Sequence, residues 1–453
     1  MPAIPPTTVL NASAMDIINA IRNAATANFR EYVPVANTHE DVRQIGATIM
    51  QYPFLQNEFL STLVNRIGMV IMNSKSYTNP WAMFKRGMVE YGESVEEIFV
   101  NIAKAFTYDA DTAENEVFKR EIPDVRSAFH ILNFQKFYKV TIQEAQLRQA
   151  FLAPDGLTDL VTKITNSMYA ASNNDEFQTM KYLVARHILD GQLYPVTVPT
   201  PNKANAEDVV TKVKATSNDF EFMKPDYNMA HVHNFTMKPD QYLIVSNQFD
   251  SIMNVSVLAA AFHMEKAEFE GHLVRVDSFG DLDDERLGEL FGDSDWYEEL
   301  SSAQKTALAA VPGVLVDKDW FMIFDNLLEF TEQYNGQGLY WNYWYHTWKT
   351  FSVSPFANGA MFIPGTPSIT SVAVSPSAVT LAAGQSTQLT PTVVTENFAP
   401  QSVSYVVGED DPISVSPTGK LLVDPDADAG EYTVTVTSTF DSTKTATVTV
   451  TVE

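Results

Sequence analysis

The sequence of 453 residues contains no cysteine. Disulfide bonds, thiolate zinc sites and cysteine nucleophiles are therefore excluded, and the composition fits folding in a reducing cytoplasm. The chain also lacks any run of about 18 apolar residues, the length at which a membrane-spanning helix is suspected. Its first residues have neither the basic segment nor the apolar core of a secretory signal. We therefore expect no membrane contact and no targeting segment.

Basic residues are scarce as well. The chain carries 30 lysines and arginines against 56 aspartates and glutamates, which gives a formal net charge of −26. Surfaces that bind nucleic acid need clustered lysine and arginine, so this charge argues against such a surface. The apolar fraction of 45% is typical of a folded protein, and the length predicts two or more domains.

A change in composition divides the chain near residues 364–367, where two prolines and a glycine predict a linker. Beyond it tryptophan, histidine, methionine and arginine disappear, and threonine and valine dominate. Residues 367–453 hold ten acidic residues and two lysines, a net charge of −8. Apolar and polar residues alternate over 432–437 and 445–452, and turn residues separate shorter runs. Short strands at this spacing predict a β-sandwich.

The body before this linker mixes helical and strand patterns, so its predicted fold class is α+β. Ser13 and Asp16 can cap a helix that reaches about Tyr32. Ser94 and Glu97 form a second capping pair.

Apolar positions at helical spacing predict a long helix over residues 157–189. If continuous, it would be roughly 50 Å long at 1.5 Å per residue, and a break at 172–174 is the alternative. Strand patterns occur at 242–246, 273–276, 314–316 and, rich in aromatic residues, 338–353.

The pair His231 and His233 is the first candidate for chemistry. On one side of a strand the two imidazoles could bind zinc, with Asp226 or Asp240 as a more distant third ligand. No spacing pattern requires that ligand, so an ordinary loop or strand pair is the favoured interpretation.

The alternating residues Asp424, Asp426 and Asp428 look like the first ligands of an EF-hand loop. However, Gly430 comes one place late, and Thr435 stands where a bidentate glutamate is needed. An acidic turn between two strands is therefore favoured.

A second acidic run could supply paired carboxylates for hydrolysis, although its polar flanks favour a solvated loop. It consists of Asp281, Asp283, Asp284 and Glu285. The common nucleophile, phosphate-binding and metalloprotease motifs are absent from the sequence. We therefore predict no catalytic residue, no cofactor and no metal site.

Aromatic side chains are concentrated in residues 340–351. Such side chains can stack on single-stranded nucleic acid, but those surfaces need interleaved basic residues, and only Lys349 is nearby. Alternation places Tyr340, Trp344 and Trp348 on one face and Trp341, Tyr343, Tyr345 and Phe351 on the other. A strand that is apolar on both faces is expected in the middle of a covered sheet.

Four segments of the body have a familiar sequence: Asp16-Ile-Ile-Asn-Ala-Ile-Arg-Asn, Gly92-Glu-Ser-Val-Glu-Glu-Ile, Val314-Leu-Val-Asp-Lys-Asp-Trp-Phe-Met-Ile-Phe-Asp-Asn-Leu and Gly338-Leu-Tyr-Trp-Asn-Tyr-Trp-Tyr-His. They resemble the major capsid proteins of small podoviruses of the phage phi-29 group, and the likeness continues along nearly all of residues 1–365. The tail, with Ser371-Val-Ala-Val-Ser-Pro and its Ala383-Gly384 turn, resembles a bacterial Ig-like domain of group 2.

This resemblance implies a Hong Kong 97-type capsid fold, with an N-terminal arm, an extended loop (E-loop), a P-domain and an A-domain. The implied divisions are the N-terminal arm and helix at 1–65, the E-loop at 66–110, the P-domain with its spine helix at 111–191, the A-domain at 192–335, the P-domain return strands at 336–365 and the Ig-like domain at 366–453.

The resemblance also implies a function, that of a major capsid protein which self-assembles as pentamers and hexamers into an icosahedral or prolate shell around the genome. The implied partners are other copies of the chain, a scaffolding protein, the portal (connector) and head fibres. Contact with packaged DNA should be weak because negative subunits repel it. Assembly would take place in the cytoplasm of the host bacterium, and the protein would end in the virion.

Two other functions stay open at this point. A bacterial surface or adhesin-like protein could carry the Ig-like module, but it should also have a signal peptide, an anchor or repeated modules. A metal hydrolase could be built on His231, His233 and Asp226.

Overall fold

The computed structural model describes residues 13–70, 77–89, 94–106, 122–152, 156–252, 272–292, 294, 296–408 and 411–453. Parts of the implied E-loop therefore lie outside the described residues. The chain divides into two compact units: residues 1–94, 131–178 and 323–351 form the first, and residues 95–130, 179–322 and 352–453 form the second.

The described helices are α1 (Ala14–Ala24), α2 (Ala27–Tyr32), α3 (His39–Gln51), α4 (Pro53–Val70), α5 (Glu144–Leu152), α6 (Gly156–Leu189), α7 (Ala206–Asp219), α8 (Asn247–Ile252), α9 (Asp284–Phe291) and α10 (Ser302–Ala309). The strands of the body are β1 (Lys85–Met88), β2 (Ser94–Val100), β3 (Val125–Ile131), β4 (Phe134–Gln143), β5 (Tyr194–Val198), β6 (Gln241–Ser246), β7 (Leu273–Val276), β8 (Gly313–Asp317), β9 (Phe321–Asn335), β10 (Tyr340–Val353) and β11 (Gly359–Pro364). The mixed α and β architecture predicted for the body is confirmed.

The capping box at the start of α1 is confirmed, but the helix is shorter than predicted. Ser13 accepts a hydrogen bond from the Asp16 N–H, and the Asp16 carboxylate accepts one from the Ser13 N–H. The helix ends at Ala24 instead of reaching Tyr32, because Thr26 adopts an extended backbone and caps the separate helix α2.

The second predicted capping pair is wrong. Ser94 and Glu97 lie in strand β2, where exposed and partly buried side chains alternate along the chain. Valine, isoleucine and phenylalanine at period two favour a strand, and they outweigh the short capping pattern.

Helix α6 is continuous from Gly156 to Leu189, so the alternative of a break at 172–174 is wrong. Within the first unit, the side-chain amide of Asn173 donates to the Tyr77 carbonyl at 2.8 Å and leaves the helix backbone intact. Gly191 then ends the helix in the left-handed conformation, with φ at +62°.

In the first unit, strands form a four-stranded sheet in the order β1-β9-β10-β4. The aromatic strand β10 is an inner strand, as predicted, and pairs antiparallel with β4 from Tyr340 opposite Gln143 to Lys349 opposite Phe134. Its prediction as a strand covered on both faces is confirmed for one face, while the other face is only partly covered in the single chain. Trp341 and Tyr343 are buried against α1, α3 and α5, whereas Trp348 on the other face is 37% exposed.

A five-stranded sheet in the second unit has the order β5-β11-β8-β6-β7. It contains the three strands predicted at 242–246, 273–276 and 314–316, all confirmed as β6, β7 and β8. Helix α7 packs on this sheet through Val209 and Val213, which share a core cluster with Leu243 and Phe362.

The C-terminal segment is composed of strands alone among its described residues, as its Thr/Val alternation predicts. They are β12 (Ser368–Ser375), β13 (Ala378–Leu381), β14 (Ser386–Gln388), β15 (Thr390–Glu396), β16 (Val403–Val406), β17 (Ile413–Val415), β18 (Lys420–Val423), β19 (Gly430–Ser438) and β20 (Thr445–Val452). They form sheets in the orders β12-β15, β13-β20-β19-β16 and β14-β18-β17. Buried Leu389, Leu421, Val434 and Val448 belong to one apolar cluster, so this segment has a core of its own.

The linker predicted at 364–367 lies between β11 and β12, and hydrogen bonds hold it on both sides. The Asn397 side chain donates to the Thr366 carbonyl at 2.8 Å, and the Thr197 hydroxyl donates to the Gly365 carbonyl at 3.2 Å. The loop that carries Asn397 also packs its Ala399 carbonyl against Gly191. The connection is therefore a fixed contact within the second unit.

Replacement of Gly191 with alanine should loosen this contact. A Cβ atom there would lie 2.5 Å from the Ala399 carbonyl oxygen, which is closer than van der Waals contact. In addition, the positive φ makes alanine about 1 kcal/mol less favourable than glycine at this position. We expect the G191A protein to be cut several-fold faster by thermolysin, which cleaves before apolar residues, at the buried Ile369 just after residues 364–367. Gly384→Ala is the matched control, because Gly384 also has positive φ but its Cβ would meet nothing closer than 3.8 Å. Equal cleavage rates in the two variants would contradict the fixed contact.

Candidate assembly surface

The zinc geometry considered for His231 and His233 is wrong. Residues 231–233 form a loop, and His231 has a positive φ of 49° that no regular strand adopts. Its Nε2 lies 3.1 Å from the Ser402 hydroxyl, and burial lowers the pKa of its imidazole. Among the described residues, no three His, Asp or Glu side chains are grouped so that they could hold a metal ion. Asp226 and Asp240 therefore add no third ligand to this pair.

The two acidic runs have structural roles. Asp424, Asp426 and Asp428 lie in the turn between β18 and β19, as favoured, where the Asp426 N–H donates to the Asp424 carboxylate at 3.3 Å. The solvated loop expected at 281–285 is wrong for its second half. Asp283 caps helix α9 by accepting from the Arg286 N–H at 3.1 Å.

Strands β2 and β3 form a separate two-stranded sheet, which we call the ribbon; its described residues in the second unit are 95–106 and 122–130. Alternating side chains of each strand point to opposite faces. One face is held against residues 352–356, at the end of β10 and just after it, and the other is open to solvent.

Polar contacts anchor the inner face of the ribbon. The imidazole of His130, which is 2% exposed, lies 3.1 Å from the Glu97 carboxylate and 2.8 Å from the Ser352 hydroxyl. The Ser354 hydroxyl donates to the other Glu97 oxygen at 2.8 Å. Each oxygen of the Glu97 carboxylate therefore has a hydrogen-bonding partner, and these contacts fix which face of the ribbon turns inward.

An aromatic pair and an arginine add to this anchor. The rings of Phe99 and Phe356 stack with their centroids 5.4 Å apart. Arg126 donates to the Ala230 carbonyl and pairs with Asp124 at 3.1 Å. The ribbon is thus a positioned element of the second unit.

Large apolar side chains are the majority on the outer face of the ribbon, which also carries the exposed polar residues Glu96 and Ser127. Its apolar members, with their exposed fractions, are Ile98 (60%), Val100 (61%), Val125 (55%) and Phe129 (63%). The residues that follow β2 and those that precede β3 add further exposed apolar side chains. These are Ile102, Phe106 and Ile122, each more than half exposed. A two-stranded sheet with one solvated face normally has polar residues there.

An exposed apolar face of this kind marks a surface that another molecule covers. Burying each such side chain contributes about 1.5–3 kcal/mol, so the four together can support a stable contact. Sequence reasoning missed this surface because it assigned Ser94 and Glu97 to a helix cap. The apolar residues on both faces of 95–100 were the available signal.

A buried ion network is the second notable arrangement, and it lies within the first unit. Glu176 of α6 contacts the ammonium group of Lys349 on β10 and that of Lys85 on β1, the latter at 3.0 Å. Lys85 also pairs with Asp325 at 2.7 Å, and the Asn79 amide donates to Glu176 at 2.6 Å. Glu176 and Lys349 are nearly fully buried. The network ties the helix to two strands of the sheet.

The acidic and the basic groups of this network both stay ionised because each is stabilised by its neighbours of opposite charge. Burial opposes the ionisation of Glu176, but the charges of Lys349 and Lys85 outweigh it and hold the pKa of Glu176 below its usual value. For Lys85 burial is likewise opposed by Glu176 and Asp325, which raise its pKa. Removal of one partner from such a buried network would leave an uncompensated charge, so the network acts as a structural link between the helix and the strands.

Within the described ranges, none of the helices has the length and apolar character needed to cross a membrane.

Comparison with known proteins adds to these observations. The model of the Phi29-like phage major capsid protein family matches residues 18–363. The major capsid protein of Bacillus phage B103 is 36% identical over 415 residues, which cover 90% of this chain and 86% of that protein. The major capsid protein of Bacillus phage PZA is 36% identical over 380 residues, 83% of this chain and 79% of that protein.

A solved capsid structure of Staphylococcus phage Andhra has a chain of similar fold, with a TM-score of 0.50 and 14% identity over 65% of this chain and 86% of that one. The relatives are structural proteins of the virion, in agreement with an apolar surface for assembly and with a buried ion network that serves structure. The chain therefore belongs to the Phi29-like phage major capsid protein family, whose members build the heads of tailed phages.

Proposed function

We propose that copies of this chain assemble as pentamers and hexamers into an icosahedral or prolate shell that encloses the genome, and that the outer face of the ribbon packs on a neighbouring copy. The exposure of Ile98 and Phe129 in the single chain carries this proposal. A second copy is the occupant we infer, because a shell is built by repeating one subunit and each subunit must cover its neighbour's apolar surface.

The proposal includes the parts of a Hong Kong 97-type subunit. Helix α6 is the proposed spine helix, and its bounds fall within residues 155–191. The ribbon is the proposed E-loop. The E-loop expected at 66–110 should then extend to Ile131, because β3 pairs with β2. The proposed A-domain at 192–335 contains β5 to β8, and β11 from the return segment 336–365 joins the same sheet.

We propose that the C-terminal strands form an Ig-like domain. Its Thr/Val alternation and its own apolar core support this assignment. Its fixed contact with Gly191 and Thr366 favours a role in bracing the body over a role as a tethered appendage.

Truncation after Ile363 should leave a body that still folds and assembles. The C-terminal segment has a core separate from that of the five-stranded sheet, so its removal opens no cavity in the body. Sedimentation of the truncated chain checks this outcome. A truncated body that stays unfolded would show that the segment is an integral part of the body.

Further partners proposed for the shell are a scaffolding protein, the portal and head fibres, with assembly in the host cytoplasm. The net charge of −26 supports weak contact with packaged DNA, because like charges repel. Strong, salt-sensitive DNA binding by isolated capsomers would count against this part of the proposal.

Negative-stain microscopy of the chain co-expressed with its scaffolding protein tests the proposal. We expect closed shells of uniform size. Persistent monomers in all conditions would overturn it.

A further inference from the structure

A groove of about 580 Å³ lies in the first unit, between the start of α4 and the hairpin formed by β9 and β10. Its lining includes Phe54, Glu58, Glu332, Tyr334 and Trp341. This volume is in the range of sites that hold small ligands or a few residues of a peptide.

Aromatic rings form the walls of the groove. Phe54 packs against Tyr32 and Tyr52 with ring centroids 5.7 and 5.9 Å away, and all three side chains are more than a third exposed. On the other wall, Tyr334 lies 4.6 Å from the buried Trp341 ring. Exposed aromatic faces attract cations and also offer apolar contact.

The groove carries negative charge that nothing in the described part of the chain compensates. No lysine, arginine or histidine there pairs with Glu58 or Glu332, although Glu58 accepts a hydrogen bond from the Thr26 N–H at 2.6 Å. Partial burial raises the pKa of Glu332, as expected for a carboxylate without a counter-ion.

A third feature is an unused hydrogen-bond donor. The indole N–H of Trp341 is buried and has no acceptor among the described residues. Buried donors are usually satisfied, so an orphan in the wall of a groove needs an explanation.

We propose that this groove binds a segment of a partner protein in which a lysine or arginine is flanked by apolar residues. The carboxylates of Glu58 and Glu332 and the ring of Phe54 would hold the cation, and the remaining aromatic surface would hold its neighbours. Nucleic acid is excluded by the sign of the charge. The groove and the ribbon share no residues, so this inference does not depend on how the shell is built.

Fluorescence anisotropy of short peptides with the unassembled full-length chain tests the proposal. The probe is the peptide Leu-Arg-Leu with capped ends and a neutral dye, and the comparison peptide carries citrulline, an uncharged isostere, in place of arginine. We expect the arginine peptide to bind at least fivefold more tightly. Glu332→Gln should remove most of that preference, since an exposed charge pair contributes up to about 1 kcal/mol, or fivefold.

Glu329→Gln is the matched control. It lies on the same strand and is also exposed, but it is three residues away and so points to the opposite face. It should leave both affinities unchanged. Phe54→Ala should weaken both peptides, because it removes part of the aromatic wall.

Equal binding of the two peptides would overturn the proposal, and so would no binding of either peptide up to millimolar protein. Arginine binding that Glu332→Gln and Glu329→Gln reduce alike would also contradict it. If the Glu332→Gln chain binds both peptides like the parent but fails to form shells, the groove is covered by a second copy and not by a partner protein.

Discussion

Replacement of Glu176 with alanine should lower the free energy of unfolding by about 3–5 kcal/mol. Glu176 is the shared partner of Lys349 and Lys85, and Lys349 is buried. Without the carboxylate, Asp325 alone is left to balance two ammonium groups in a site from which water is largely excluded, so one positive charge has no partner. The uncompensated charge makes the loss far larger than that of a surface pair.

Urea unfolding followed by tryptophan fluorescence measures this effect. The matched control is Glu40→Ala, which breaks an ion pair with Arg43 in which both side chains are more than half exposed. That change should cost at most about 0.5 kcal/mol. A Glu176→Ala protein within 1 kcal/mol of the parent would show that the network does not hold the helix to the sheet.

The same network predicts a pH dependence. The folded-state pKa of Glu176 lies below its usual value, so its ion pairs contribute fully above the usual glutamate pKa. The contribution is lost as the pH falls through the lower folded-state pKa. The stability difference between the parent and the Glu176→Ala protein should therefore shrink in acid, and a constant difference from neutral to strongly acid pH would contradict this assignment.

Aspartates at Ile98 and Phe129 together should abolish shell formation while leaving the chain folded. Both side chains are at least 60% exposed in the single chain, so the substitution removes little internal contact. In the proposed shell these positions are covered by a neighbouring copy, and burial of two unpaired carboxylates costs several kcal/mol per contact. We expect the concentration needed for assembly to rise more than a hundredfold.

Sedimentation velocity measures assembly, and circular dichroism confirms that the variant is folded. Val406→Asp is the matched control, because Val406 is 58% exposed on strand β16 but lies outside the ribbon. It should assemble like the parent. Normal shells from the Ile98 and Phe129 variant would show that the outer face of the ribbon is not an assembly surface.

Elements with a strong local pattern were predictable from the sequence. The long helix α6, three strands of the five-stranded sheet (β6, β7 and β8) and most C-terminal strands follow from helical or alternating periodicity. The errors also have local causes, in patterns of only a few residues. Thr26 ends one helix and begins another, and β2 carries a short capping pattern within a strand. β17 has only three residues, too few to give a periodic signal.

The arrangements that carry function could not be predicted, because they join residues far apart in the chain. Asn79, Lys85 and Lys349 reach Glu176 across 97, 91 and 173 residues. The ribbon pairs two strands with 24 residues between them, and only that pairing decides which side chains face outward. Periodicity indicates that a residue is apolar, but only the fold decides whether that residue is buried or left for a neighbour.

A cryo-electron microscopy reconstruction of the assembled shell tests the central claim most directly. We predict a closed shell of pentamers and hexamers in which Ile98, Val100, Val125 and Phe129 of each subunit lie against a neighbouring subunit and are excluded from solvent. A shell in which these four side chains remain exposed to solvent would contradict it.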